Sequence, residues 1–191
     1  MLRNFSQAIS DCRSRCRQLG FVPGRFILAV NAAEQQAVLF EKPGAFICPV
    51  CHNQHYDPVR IMRCSTSRFG IGQEAGSFRT PLGLHRVVEK IGGGWPAGTV
   101  FNGRKPVGYT WQGMPDAKIT SRILWLEGLE PGFNRGGNVD SHARYIYLHG
   151  TGDQTSIGRP ASCGCIHLAD ADLMPLFDKL PSGTLVWIAE A

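Results

Sequence analysis

The sequence predicts a mainly β domain, a sandwich or barrel of short strands carrying one or two helices. Glycine (23) and proline (12) are plentiful among the 191 residues, which cuts the chain into turns and short extended runs. Apolar runs of strand length recur between those turns, whereas only two segments show a helical stripe. A hydrophobic fraction of 43% against 18% charged residues gives the chain enough apolar surface for a globular core.

Leu2, Phe5, Ile9, Cys12, Cys16 and Leu19 recur at three- and four-residue steps, so residues 2–19 are expected to form an amphipathic helix. Gly20 is placed to stop it and Pro23-Gly24 to break the chain. Residues 1–24 thus form an N-terminal extension, and residues 25–191 the main domain. Cys12 and Cys16 share the apolar face, either as small core residues or as a pair for a disulfide or a metal. Residues 26–30 and 37–40 are apolar runs around a polar turn, a hairpin pattern. Further strands are expected at 59–64, 84–88, 123–126, 145–148 and 185–188. The second helix has Asp170 or Asp172 to cap it and Leu173, Leu176, Phe177 and Leu180 as its apolar face, with Pro175 in the first turn.

A formal charge of +5 favours an anionic partner but selects none. No apolar run approaches the roughly 18 residues that a membrane span needs. No apolar stretch of a secretory leader follows Met1, so the chain is expected to stay inside, to leave by another route, or to start after a removed leader. Seven cysteines cannot all pair internally.

The chemistry concentrates late in the chain. Residues 145–151 run Tyr-Ile-Tyr-Leu-His-Gly-Thr, and residues 157–168 run Ile-Gly-Arg-Pro-Ala-Ser-Cys-Gly-Cys-Ile-His-Leu. A strand delivers His149 to its end, and a Gly/Pro/Ser loop then delivers Cys165. Catalysis by a thiol needs a base and donors for an oxyanion. His149 can take the proton, and Gly164 lets the backbone bend so that N–H groups converge near Cys165. By period two, Tyr145, Tyr147 and His149 share one strand face, placing a tyrosine beside any cleft there.

At these residues the sequence resembles the L,D-transpeptidase catalytic domain (YkuD-type) family, whose signature is a His-Gly pair followed by Ser/Thr-x-Gly-Cys-Ile/Val-Arg. The resemblance extends to Arg63-Cys64-Ser65-Thr66-Ser67, to Thr80-Pro81-Leu82-Gly83 and to the closing strand around Gly183-Thr184 and Ile188. It covers roughly residues 25–190 and implies an L,D-transpeptidase-like sandwich or barrel. It further implies attack by Cys165 on the amide joining the third residue of a peptidoglycan stem to its D-amino-acid fourth residue. His149 would be the base, the Gly150 carbonyl would orient it, the N–H groups of Gly164 and Cys165 would hold the oxyanion, and Ser162 would shape the loop. Transfer of the acyl group to an amine gives a crosslink; transfer to water makes the enzyme an L,D-carboxypeptidase, and an antibacterial effector of the same fold would trim or exchange stem residues. The family implies a bacterial periplasmic or envelope location, no required cofactor, and acylation by carbapenems.

Two positions depart from the family pattern: Cys163 stands where His is usual, and His167 where Arg is usual. Histidine lacks the permanent charge and fork of arginine, which puts the substrate carboxylate contacts in doubt. Arg159 is a candidate to supply that charge, Tyr147 to border the cleft, and Trp111 to line it from a Gly- and Pro-rich stretch. His85 and His142 have no position fixed by the sequence.

Cys48, Cys51, His52 and His55 form a further cluster outside the family pattern. It reads as a structural zinc site, a c-type haem attachment motif, a redox-sensitive dithiol or ordinary loop thiols. A wall-binding module without activity is disfavoured by the intact His149, Gly164 and Cys165. Nucleic-acid binding is disfavoured by the lack of a basic helix or a stacked aromatic pattern.

Overall fold

The computed structural model describes residues 2–43 and 55–190. Helix α1 (Leu2–Leu19) leads into strands β1 (Phe26–Asn31), β2 (Gln36–Glu41), β3 (Asp57–Ser65), β4 (Gly83–Ile91), β5 (Thr99–Asn102), β6 (Lys105–Tyr109), β7 (Thr120–Gly128), β8 (Tyr147–Gly150) and β9 (Ile166–Leu168). Helix α2 (Asp170–Lys179) and strand β10 (Leu185–Ala189) complete the chain. The strands follow the order β4-β10-β1-β2-β3-β9-β8-β7, and β7 pairs back onto β4. The sheet is therefore a closed barrel, with the β5–β6 hairpin attached to the outside of β7 through Val100 and Thr120. Closure leaves no unpaired edge within the ring.

Side-chain alternation along each strand separates three apolar layers. Leu28, Val30, Leu124, Leu126, Leu148 and Val186 point into the barrel, where Leu173, Leu176 and Phe177 of α2 fill the interior. Their neighbours Ile27, Ala29, Val38, Phe40 and Leu84 point outward under α1, against Cys12 and Cys16. On a different outer face, Ile123, Trp125 and Tyr147 pack with Phe101 of the hairpin and with Cys165. Glu130, 3% exposed, ties α1 down: it forms an ion pair with Arg15 and accepts from the Leu84 N–H.

Several sequence expectations shift. The strand expected at 145–148 starts at Tyr147, because Tyr145 is left-handed (φ 57°) and closes a turn by donating its N–H to His142 O. Ala169 rather than an aspartate caps α2 and makes no side-chain bond; Asp170 instead accepts from Ser121 Oγ, and Asp172 pairs with Arg60. Pro175 lies in the second turn of α2, not the first. It cannot donate to the carbonyl of Ala171, and Arg60 Nη2 bonds that carbonyl instead at 3.1 Å. Strands β5, β6 and β9 were not expected; the first two form a tight hairpin whose loop residues, Gly103 (φ 53°) and Arg104 (φ 66°), both have the positive φ of a type I′ turn.

Candidate active site

Strand β8 presents Leu148 to the barrel interior, so its neighbours Tyr147 and His149 face outward. Strand β9 runs parallel to β8 with His149 opposite His167, and the two rings lie 4.7 Å apart. Cys165 immediately precedes β9 and lies level with the start of β8. Its thiol donates to Tyr145 O and its Sγ accepts from Tyr147 N, both at 3.4 Å. Thiol and imidazole are thus held by adjacent, hydrogen-bonded strands on one outer face.

The protonation states follow from burial. His149 is 2% exposed, and its Nδ1 lies 2.7 Å from Gly150 O. A carbonyl can only accept, so Nδ1 carries the proton and Nε2 keeps the lone pair. Burial, with His167 alongside, pushes the His149 pKa down to about 3. Burial alone takes His167 down to about 4 and leaves its Nδ1 without a partner. The Cys165 thiol is pushed up to about 11, chiefly by burial and further by Cys163; the Tyr147 N–H and Arg144 pull it partly back. At neutral pH the resting site therefore holds a neutral thiol and neutral imidazoles, not a thiolate–imidazolium pair.

The loop before Cys165 is braced on itself and on two neighbouring turns. Ser162 Oγ donates to Cys165 O at 2.5 Å and accepts from Gly164 N at 3.2 Å. Ser162 N donates to Thr66 O and its carbonyl accepts from Arg68 N, which fastens the loop to the Ser-Thr turn after β3. That turn is held by the Thr80-Pro81 segment, since Ser67 N donates to Thr80 Oγ1. Gly164 has φ 116°, and a side chain there would start 3.3 Å from Arg79 O. The Gly164 N–H is engaged by Ser162 Oγ at rest and would have to leave it to serve an oxyanion.

Two arginines that the sequence did not single out lie near the site, Arg144 by the thiol and Arg104 over the aromatic rings next to it. Arg144, half-buried, donates to the carbonyls of Gly72, Gln73 and Arg79 and so holds the 72–79 segment against the Cys165 loop. Arg104, at the tip of the β5–β6 turn, lies 4.6 Å over the Trp125 ring and 5.4 Å from the Tyr145 ring, and its Nη1 donates to Tyr147 Oη at 3.3 Å. Asn102-Gly103 is the signal that could have revealed this hairpin tip. Nothing local marks Arg144.

The remaining sequence candidates scatter. Cys163 is exposed and opens into a cavity of about 270 Å³ with Phe78, Asp140 and Arg144. Arg159 bonds Thr155 O in its own loop, and Trp111, 60% exposed, stacks on Tyr109 at 4.7 Å. His85 is buried between Gly83 O and Ser141 Oγ, and burial takes its pKa down to about 4. His142 stacks on Trp125 at 4.1 Å. Of the proposed metal cluster, Cys48, Cys51 and His52 lie outside the described residues, and His55 pairs with Asp57. Among the described residues there is no group of three potential metal ligands, and no helix is long and apolar enough to cross a membrane.

The closed barrel, the filling helix and the outward-facing thiol and imidazole define a class of fold that comparison with known proteins identifies. The family model of the L,D-transpeptidase catalytic domain (YkuD) matches residues 25–188, and the chain belongs to that family. Among solved structures, Bd1075 of Bdellovibrio bacteriovorus superposes with a TM-score of 0.53 at 13% identity, covering 87% of this chain and 48% of that one. L,D-transpeptidase 3 of Mycobacterium tuberculosis, solved with a faropenem-derived adduct, gives 0.51 at 16% identity, covering 87% and 60%. These likenesses establish the fold, and the chain spans about half to three-fifths of those structures' length. No curated protein matches.

Proposed function

We propose that the protein is a peptidoglycan L,D-transpeptidase of the bacterial envelope that works through a thioester on Cys165. The observation that carries this is the placement of the Cys165 thiol against β8, on the face where His149 has its Nδ1 proton fixed by Gly150. In this scheme Cys165 Sγ attacks the carbonyl carbon between the third and fourth stem residues while its proton passes to His149 Nε2. Because the resting thiol is neutral, the transfer accompanies the attack, which suits a base with a free lone pair. The Cys165 N–H, joined by that of Gly164 once it leaves Ser162 Oγ, holds the oxyanion. Collapse breaks the C–N bond, and the D-amino acid departs with the proton from His149. An acceptor amine then attacks the thioester, its proton goes to His149, and the sulfur leaves as it takes that proton back from His149, restoring the neutral thiol and imidazole.

Water in place of the amine gives carboxypeptidation, a second outcome of the same acyl-enzyme. Incubation with a disaccharide-tetrapeptide, followed by mass spectrometry, tests the proposal. Crosslinked dimer with release of the D-amino acid is expected; tripeptide alone assigns the hydrolytic outcome. No product, with Cys165→Ala indistinguishable from the parent, overturns the enzymatic assignment. The protein should also gain the mass of one carbapenem on Cys165, as intact mass measurement would show.

A further inference from the structure

The two arginines near the site differ in what their donors do. A guanidinium has five N–H donors. Arg144 spends its hydrogen bonds on three backbone carbonyls, which makes it a brace. Arg104 makes one hydrogen bond, to Tyr147 Oη, and rests its flat face on Trp125 and Tyr145. It takes part in none of the ion pairs among the described residues. An arginine stacked on aromatic rings, with no carboxylate partner among the described residues and most of its donors uncommitted, is prepared for a planar anion.

Its location ties that anion to the reacting centre. Both tyrosines under Arg104 touch the nucleophile through their backbones: Tyr147 N donates to Cys165 Sγ, and Tyr145 O accepts from the thiol. Meanwhile His167, in the slot after Cys165-Ile166, is half-buried with no partner for its Nδ1 among the described residues, and burial holds it neutral, so it offers no positive charge there. The charge comes instead from a different strand pair, held in place by the type I′ turn.

We infer that Arg104 is a specificity-determining residue that binds the free carboxylate of the D-amino acid leaving from the donor stem. The inference rests on the stem-peptide function proposed above. A pentapeptide stem, whose carboxylate lies one residue further on, fits less well.

The test compares tetrapeptide donors with a free carboxyl terminus and with a C-terminal amide, for the parent, Arg104→Ala and Arg104→Lys. Release of the terminal residue is followed at varied donor concentration. The parent is expected to favour the free acid. Arg104→Ala should raise KM for the acid by about 10- to 100-fold, the range for a hydrogen bond to a charged group, and change KM for the amide little. Arg104→Lys, which keeps the charge but not the fork, should fall between them. Iodoacetamide labelling of Cys165 reports whether each variant retains its thiol environment. An unchanged preference for the acid in Arg104→Ala, or an equal loss on both donors, overturns the assignment while leaving the proposed function standing. Failure of the parent to release the residue from either donor defeats the proposed function, and this inference with it.

Discussion

The barrel has two well-packed outer faces, and they are covered differently. On one, an eighteen-residue helix lies over Ile27, Ala29, Val38, Phe40 and Leu84, with Cys12 and Cys16 fully buried beneath it. On the other, Ile123, Trp125 and Tyr147 are covered by a short hairpin, by Cys165 and by His142 stacked on Trp125, and Tyr145 remains 53% exposed beside the thiol. The same strand alternation produces both faces. The helix-covered face excludes water and serves stability; the hairpin-covered face leaves the thiol proposed as nucleophile partly exposed. The difference lies in the cover rather than the barrel.

That division can be broken by substitution. The largest effect is expected from Cys165→Ala, which should abolish thioester formation and product release while leaving the unfolding midpoint close to that of the parent. His149→Gln should lower kcat about 10²- to 10⁴-fold, measured by residue release, because the thiol loses its proton acceptor. On the other face the pattern should invert. Glu130→Ala removes the partner of the part-exposed Arg15 and of the Leu84 N–H, and should cost about 1–3 kcal/mol in urea denaturation with little change in kcat at low denaturant. Near-parental stability for Glu130→Ala, or a large loss of activity well below its unfolding midpoint, would show that the two faces are coupled.

Acid should sharpen the comparison. His149 is held down to about 3, and His85 and His167 to about 4, whereas an unfolded histidine titrates near 6.5. Their folded values are depressed, so the unfolded chain takes up protons that the folded one refuses. Full stability should therefore hold above about pH 6.5 and fall as pH drops towards 4, by at most about 1.4 kcal/mol per pH unit per histidine. His149→Gln should flatten that slope in thermal unfolding; an unchanged slope would refute the contribution of this residue. The smallest expected effect is that of Arg60→Ala, which exposes the Ala171 carbonyl orphaned by Pro175 and should cost about 0.5–1.5 kcal/mol.

Much of this was legible in the sequence where the signal is local. The helical stripe of α1, the β1–β2 hairpin and the strand delivering His149 all follow from side-chain period, and the loop presenting Cys165 follows from its glycine and serine. What escaped depends on contacts between distant segments. The parallel register that sets His167 beside His149, and the β4–β7 pairing that closes the ring, join strands far apart in the chain. Arg104 was hidden in a polar stretch, although Asn102-Gly103 marked the turn that positions it. Arg144 reads as an ordinary loop arginine until the three carbonyls around it are known. Tyr145 shows the reverse: period two put it in the strand, but its left-handed backbone places it in the turn two residues before the strand begins.

The pairing of His149 with His167 across two parallel strands has a consequence for errors in folding. A strand presents alternate residues, so sliding β8 by one position would replace His149 with Leu148 on the outer face and send the imidazole inward. There is no half-working intermediate between those two arrangements. Because the ring is closed, such a slip would also force mismatches at its neighbours. The spacing of thiol and imidazole therefore behaves as a discrete setting, locked by backbone ladders.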